Sequence, residues 1–508
     1  MSIENTRSGY NEEEAQYSLM YEDNSSSIIA FRDIPYSLIS SEIKNDTTNT
    51  IAEMTQIKRY YNIYDKGVKF NIEGTNGDYV PAKLMYKMAA SLINKEARFL
   101  FAETPDITID SKGDAGKVSK EAKDAITNLQ SLIKDVLDKN MFENMLIKGA
   151  KDCFIGKRIA GLVNFNEYEG ITVTFLPSTQ FLFETLPTNK NKLSKFVCFM
   201  TIEDSLSNID KRIFKKKYTL EEDGVYVEES IYDGAGTLVE EVLPKSKIEL
   251  DEIPAVIFVN DGLLGDCRGE SEIELLKDFE KWYSKLSNAD IDAQRKSMNP
   301  TKYTVDMDNN STKGLKTSPG ALWDLGTDQN LDNAHPMIGI LEPDMSYSDP
   351  LKITLDRIKT VGYEQVDMPN VTLETMIGSI TSGKALKAIY WPLITRCKEK
   401  MKMWGPNIRK MIDIIIEGAM KYPDVAKLHI DESLVPVSYE VKVTQNLPLP
   451  EDEQEEKQLD IAEVEAKVMS KKAYMKKWRG LTDDEVNEEL DQIAIERQII
   501  EDSSYDEL

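Results

Sequence analysis

The run Gly378-Ser379-Ile380-Thr381-Ser382-Gly383-Lys384-Ala385 has the outline of a phosphate-binding loop, two glycines five positions apart and then a lysine. In such a loop, backbone N–H groups cradle the phosphates and the lysine reaches the terminal ones. A Ser or Thr directly after the lysine holds the magnesium ion through its hydroxyl. Ala385 has no hydroxyl to offer. Val371-Thr372-Leu373-Glu374 reads as a short strand, but no apolar strand with a closing acidic residue follows to complete a nucleotide site. Gly383 is better read as a helix-entry residue, and the segment before it as an element built to move. A nucleotide-dependent DNA-processing enzyme built around Gly378 to Lys384 stays open as the alternative function.

Other catalytic chemistry finds little footing. His335 and His429 are isolated, and Cys153, Cys198, Cys267 and Cys397 lie far apart with no Cys-x-x-Cys pair. They make neither a zinc constellation nor a Cys/His dyad, and read as reduced, mostly buried thiols of a cytosolic chain. With 88 Asp and Glu, any acid–base pair would be an arbitrary choice. The expectation is no catalytic residue, no metal and no cofactor. A net charge of −26 argues against a protein that clamps nucleic acid through a broad basic surface, because that affinity comes from Lys and Arg displacing phosphate counterions. A conduit for a sliding duplex has no use for such a grip, and an ordinary acidic protein explains the charge equally well. No apolar run follows a basic start, so no signal peptide is expected. Met411 to Met420 contains Asp413 and Glu417 and is too short to span a bilayer.

The remaining candidate is a polar helix face. Asp349-Pro350 reads as a helix start, with Asp349 as cap and Pro350 at the first helical position. Leu351, Leu355, Ile358 and Val361 then recur on one side, while Lys352, Asp356, Lys359 and Tyr363 fall together on the other. For a lone protein the second stripe is an ordinary solvated face. Asp367-Met368-Pro369-Asn370 and the Gly378 to Gly383 run interrupt the helix. A longer one follows, with Leu386, Ile389, Leu393, Cys397, Met401, Trp404, Ile408, Met411, Ile415 and Ala419 at steps of three or four. Pro392 and Pro406 inside it predict kinks.

The 508 residues, 41% of them hydrophobic, suffice for two or more domains. Met1 to Thr50 is polar and acidic and reads as a peripheral arm. Helices are expected at Ile57 to Asp65, stopped by Gly67, at Lys83 to Phe101, and at Ala122 to Asn140, with a further helical piece from Met141 to Cys153; Ile107 and Ile109 alternate as a strand. Between Ile155 and Val259 the period changes to two, predicting an antiparallel sheet beside the helices, an α+β arrangement. Within it, Lys211 to Lys217 reads as a strand with a solvated basic face rather than a phosphate site. A helix from about Glu270 to Lys296 precedes a β insertion. Its strands are Tyr303 to Met307 and Leu322-Trp323-Asp324-Leu325. After the long helix come a strand at Val435 to Thr444, an acidic helix carrying Leu459, Ile461, Val464 and Val468, a short basic helix capped by Ser470, and a capping box at Thr482 to Glu485.

This order of parts resembles the portal proteins of long-tailed bacteriophages. The resemblance is carried by the Ser382-Gly383-Lys384-Ala385-Leu386-Lys387 helix start, the Tyr60-Tyr61-x-x-Tyr64-x-x-Gly67 run, the helix running into Phe101 and Thr104-Pro105-x-Ile107-x-Ile109, and the acidic helical end. It implies a portal fold: an arm at 1–50, an α/β wing at 51–265, stem helices at 266–297 and 347–366, and a β clip at 298–346. A channel loop at 367–383, a long kinked wing helix and strand at 384–443, and a helical crown at 444–508 complete it. The implied role is a non-enzymatic ring, usually of twelve copies, at one capsid vertex of the virion, assembled in the host cytoplasm. It would pass double-stranded DNA in packaging and ejection, and dock the terminase large subunit, the head–tail connector, and the major capsid and scaffolding proteins. On this reading Lys352, Asp356, Lys359 and Tyr363 face the bore as weak contacts, and Asp367, Asn370, Thr372 and Glu374 lie on the channel loop. Lys302, Lys313, Lys316 and Trp323 serve clip docking, and Lys471, Lys472, Lys476, Lys477 and Arg479 form a basic crown patch.

Overall fold

The computed structural model of the protein describes residues 34–43, 47–70, 81–112, 120–202, 211–263, 268–298, 300–307, 335, 337–341, 345–371, 383–426, 438–448, 453–479, 485–487, 489–493 and 495. These divide into two units, one made of residues up to Met368 together with Thr395–Leu447, the other of Pro369–Ile394 and Pro448–Leu508.

In the first unit, α1 (Tyr36–Glu42) and α2 (Thr47–Lys66) precede α3 (Met88–Leu100), β1 (Asp106–Ser111), α4 (Lys120–Lys139) and α5 (Phe142–Gly156). Strands β2 (Arg158–Asn166) to β9 (Ala255–Val259) follow. Between these lie β3 (Gly170–Pro177), β4 (Phe181–Leu186), β5 (Asn189–Ile202), β6 (Arg212–Glu221), β7 (Gly224–Asp233) and β8 (Leu238–Ile248). Helix α6 (Glu272–Met298) leads to the hairpin β10 (Thr301–Val305) and β11 (Met337–Leu341), then to α7 (Ser348–Glu364). The long α8 (Gly383–Lys421) comes next, belonging to this unit from Thr395 onward, and is followed by the short α9 (Pro423–Ala426) and β12 (Tyr439–Thr444). The second unit carries α10 (Glu453–Glu465) and α11 (Lys471–Arg479).

The period-two region forms two antiparallel sheets rather than one: β3-β2-β9 and the meander β4-β5-β6-β7-β8. They share one apolar core, in which Ala160, Leu162 and Leu176 of the first meet Phe181, Phe196 and Tyr218 of the second. The strand expected near Ile107 pairs with the one at the far end of the chain, Ile109 opposite Val441.

Several expectations are corrected. The arm is not peripheral throughout, because Leu38 and Ile39 of α1 join Val197, Phe199 and Ile213 in a second core cluster. Glu42 is buried with them and accepts from Lys195 (2.9 Å) and Lys215. Those lysines also correct the basic-face reading of Lys211 to Lys217. Lys215 is buried, Lys216 pairs with Glu229 at 2.9 Å and Lys217 with Glu228 at 2.7 Å, so the charges are consumed within the fold. Asp349 is not the cap of α7. Tyr347 occupies that position, at the end of a 3-10 turn Met345–Tyr347, with no side-chain cap bond, and Asp349 sits in the first turn. Val468 lies beyond the end of α10, 79% exposed. The partner of β10 is Met337–Leu341, with Tyr303 opposite Gly339. The expected strand at Leu322 to Leu325 and the capping box up to Asp484 lie outside the described residues. Helix α8 runs from Gly383 to Lys421 and contains both Pro392 and Pro406.

The helix expected from Lys83 begins only at Met88, and Lys83 to Lys87 lie outside it. The cause lies on α6, whose buried face is polar beyond its first two turns. Ala82 N–H donates to Asp292 (2.9 Å), Leu84 N–H to Asn288 (2.8 Å) and Tyr86 N–H to Ser284 (3.2 Å). Four helical residues rise about 6 Å and two extended residues about 6.6 Å, so each turn of α6 meets the next even-numbered amide. Glu280, one turn earlier, takes the N–H groups of Val68 and Ala89 at 2.9 and 2.8 Å. Asn288 also donates to the Leu84 carbonyl at 2.8 Å. Asn288→Leu removes both of its bonds to Leu84 and is expected to cost about 1–3 kcal/mol. Faster hydrogen exchange at Leu84, with Ala89 and α5 unchanged, checks it.

Candidate nucleic-acid interface

Helix α7 packs along α6. Gly362 is buried there, and a Cβ on it would meet Met88 Sδ at 3.2 Å and Phe279 Cβ at 3.6 Å. Gly362 thus permits a close approach, and it is the one fully buried residue of α7. Lys352 and Asp356 are exposed, whereas Lys359 and Tyr363 are half-buried. The expected stripe therefore divides. Its first half faces solvent. Its second half is engaged within the subunit, where Lys95 donates to the Tyr363 hydroxyl at 3.3 Å and lies 5.2 Å from the ring centroid, with Lys359 5.9 Å from the same ring. The opposite stripe is not a closed core either, since Leu351, Leu355, Ile358 and Val361 are only half-buried. Ile353, on another side of the helix, is 67% exposed.

Among the loop candidates, Asp367 has a left-handed backbone (φ 51°) and Asn370 is exposed, while Thr372 and Glu374 lie outside the described residues. So do Lys313, Lys316 and Trp323. Lys302 is placed only by register, opposite Ile340. Gly378 and the residues up to Ser382 are likewise outside, and Gly383 is the first residue of α8. In the basic patch, Lys477 pairs with Asp460 (2.8 Å), Arg479 with Glu489 (2.9 Å), and Lys472 donates to Asn487 (3.1 Å). Lys471 and Lys476 are exposed. Ser470 caps α11 through Ala473 N–H, as expected.

Sequence reasoning missed a dense group of buried charges, which lies at the root of α7. Arg396 on α8 donates to Glu96 of α3 (2.8 Å) and Glu272 at the start of α6 (2.6 Å), and its third nitrogen lies 3.7 Å from Asp367. Lys400, one turn on, reaches Glu272 (2.6 Å), Glu96 (3.1 Å) and Asn260 (2.8 Å). The only signal available was that Arg396 and Lys400 flank Cys397 on the apolar stripe of a long helix. Burial alone would raise the pKa of Glu272, but Lys400 and Arg396 hold it down to about 2. Glu96 is raised instead, by burial above all and by the charge of Glu272, and its Oε2 has no hydrogen-bond partner. Glu42, buried but hydrogen-bonded by Lys215 and Lys195, is likewise lowered to about 2.

Glu272 and Glu42 both have folded pKa values below the ordinary 4.5. Their stabilisation is therefore complete above about pH 4.5 and is lost as pH falls towards about 2. The raised pKa of Glu96 acts in the opposite sense, as its contribution is complete below the ordinary value and lost as pH rises through the folded one. Acid unfolding followed by circular dichroism should steepen between pH 4.5 and 2, and Glu42→Gln should flatten that limb.

Cys153, Cys198 and Cys397 are buried free thiols pushed up to about 12, chiefly by burial, which leaves them unreactive. Among the described residues no group of His, Cys, Asp and Glu is arranged to hold a metal ion, and no helix is long and apolar enough to cross a membrane.

A search of curated proteins finds no match to this chain. A family model described as phage portal protein, SPP1 Gp6-like, matches residues 40–502, and the chain belongs to that family of phage portal proteins.

Proposed function

We propose that the protein forms a ring at one capsid vertex, twelve copies in the usual arrangement of the family. DNA would pass through it in packaging and ejection. In this reading α6 and α7 are the stem, the β10–β11 hairpin belongs to the clip, residues 367–383 form the channel loop, and α10 and α11 belong to the crown. The clip end docks the terminase large subunit and later the head–tail connector, and the outer wing meets capsid and scaffolding proteins. The role is structural, with the energy for translocation supplied by the docked motor.

The observation that carries the reading is the incomplete burial of α7. The stripe of Leu351, Leu355, Ile358 and Val361 is only half covered, and Ile353 on a separate side is 67% exposed. An apolar helix side left this open is completed by a neighbouring copy. With that side between subunits, exposed Lys352 and Asp356 turn to the bore. Single lysines alternating with carboxylates make weak phosphate contacts, which keeps the barrier to sliding low. Electron microscopy of the purified protein should show closed rings with a central hole; a preparation that stays monomeric at all concentrations sinks the proposal. Lys352→Glu should leave the rings intact and lower packaged DNA severalfold. Unchanged packaging would instead indicate a scaffold without DNA contact on this face.

A further inference from the structure

Among the described residues, the segment Ala82 to Tyr86 is secured along one edge only. The amides of Ala82, Leu84 and Tyr86 are taken by α6. In an extended chain the N–H and C=O groups of successive residues point to opposite edges. The backbone of Lys83 and Met85 therefore faces away from α6, and neither forms a hydrogen bond among the described residues. All five residues from Lys83 to Lys87 are exposed, with Leu84 at 52%. An apolar centre, Leu84-Met85-Tyr86, thus sits between two lysines on an open strand edge. Such an edge is a template for another strand. No second strand and no bulge guards it among the described residues.

We propose that this edge seats the chain's own N-terminal segment, residues 1–33, added to it as a second strand. The inference is independent of the ring reading. Three observations select that occupant. Charge is the first: the segment carries seven carboxylates against two arginines, with Glu12, Glu13 and Glu14 in a run, complementing Lys83 and Lys87. Pattern is the second: after that run and Ala15-Gln16, Tyr17, Leu19, Met20 and Tyr21 form a short apolar stretch interrupted only by Ser18, of the aromatic-rich kind that favours strands.

Reach is the third. The chain enters the described structure at Ile34, and Tyr36 Oη lies 3.3 Å from Thr55 Oγ1 on α2. From Thr55, α2 runs to Lys66, about 17 Å on at helical rise. Gly67 follows, and a Cβ on it would lie 3.2 Å from Met85 Cβ. The residues between Tyr21 and Ile34 span up to about 40 Å when extended, roughly twice what the path requires.

Residue-resolved amide exchange tests this in the full chain and in a variant that begins at residue 34. In the full chain the Lys83 and Met85 amides should exchange at least 10-fold more slowly than in the truncated variant. Ala82, Leu84 and Tyr86, held by α6, should be the same in both. Equal rates at Lys83 and Met85 in the two proteins overturn the proposal, whether both are fast (an empty edge) or both slow (a different cover). A second measurement does not depend on truncation. In a Cys267→Ser background, Leu19→Cys with Met85→Cys should form a disulfide within one polypeptide under mild oxidation. The control pair Leu19→Cys with Tyr168→Cys, whose second site is 89% exposed, should not. Trapping between two polypeptides, or equal trapping of the control, overturns the assignment to the chain's own segment.

Discussion

Arg396→Met is expected to lower the local stability of the α3–α6–α8 junction by about 3–5 kcal/mol, the cost of leaving buried carboxylates short of their partner. Glu96 and Glu272 are both buried, and Arg396 supplies each with a short charge-assisted bond (2.8 and 2.6 Å). With Arg396 gone, Lys400 alone faces two carboxylates, one of which already has an unsatisfied oxygen. Methionine fills a similar volume, so the effect reads charge rather than packing. A chain of two units need not unfold in one step. The measurement is therefore the opening free energy from native-state hydrogen exchange of the α3 and α6 amides. Adding Glu96→Met to Arg396→Met should recover part of the loss, since one of the stranded charges is then absent. A loss below about 1 kcal/mol, or no recovery in the double variant, would show that these charges are screened by water in solution.

Trp404→Ala is expected to cost about 3–5 kcal/mol, the range for deleting a large aromatic from a packed core. Trp404 is 1% exposed, and its ring centroid lies 4.7 Å from that of Phe258, 5.0 Å from Phe101 and 6.5 Å from Phe175. Those rings belong to β9, the end of α3 and β3, so the indole bridges α8 to a sheet and to a helix. Its loss opens a cavity with rigid walls, because Phe258 and Phe175 already pack edge to face at 5.5 Å. Exchange of the β9 amides should accelerate accordingly. Met403→Ala, one residue away and 46% exposed, should stay within about 0.5 kcal/mol. Equal effects at the two positions would mean that α8 is not held to the sheet through this side chain.

Much of the fold was legible because hydrophobic period survives translation into structure. The stripe from Leu393 to Ala419 is the buried side of α8, Gly67 ends α2 with φ +80°, and the strands at Ile171, Phe196 and Val225 stand where alternation put them. Failures cluster where a partner distant in sequence decides. Lys83 to Lys87 carries a helical pattern but stays outside α3, because Ser284, Asn288 and Asp292 offer acceptors at the spacing of an extended chain. Lys215 looked like part of a solvated face until Glu42, 173 positions earlier, came to meet it. Of the proposed channel stripe, Lys352 and Asp356 are open as expected. Tyr363 is drawn inward by Lys95 on α3, a contact that no local pattern could indicate.

The sequence by itself determined the alternation of helical and strand segments, the lack of a complete nucleotide loop at Ala385, and the family, since each is written in residue type and short-range spacing. Only the tertiary structure decided which charges are free. Arg396, Lys400, Glu96 and Glu272 are separated by up to three hundred positions, yet they meet within hydrogen-bonding distance in the interior. The physical reason is that a buried charge is stable only beside its counter-charge. Its fate therefore belongs to whichever distant element folds against it.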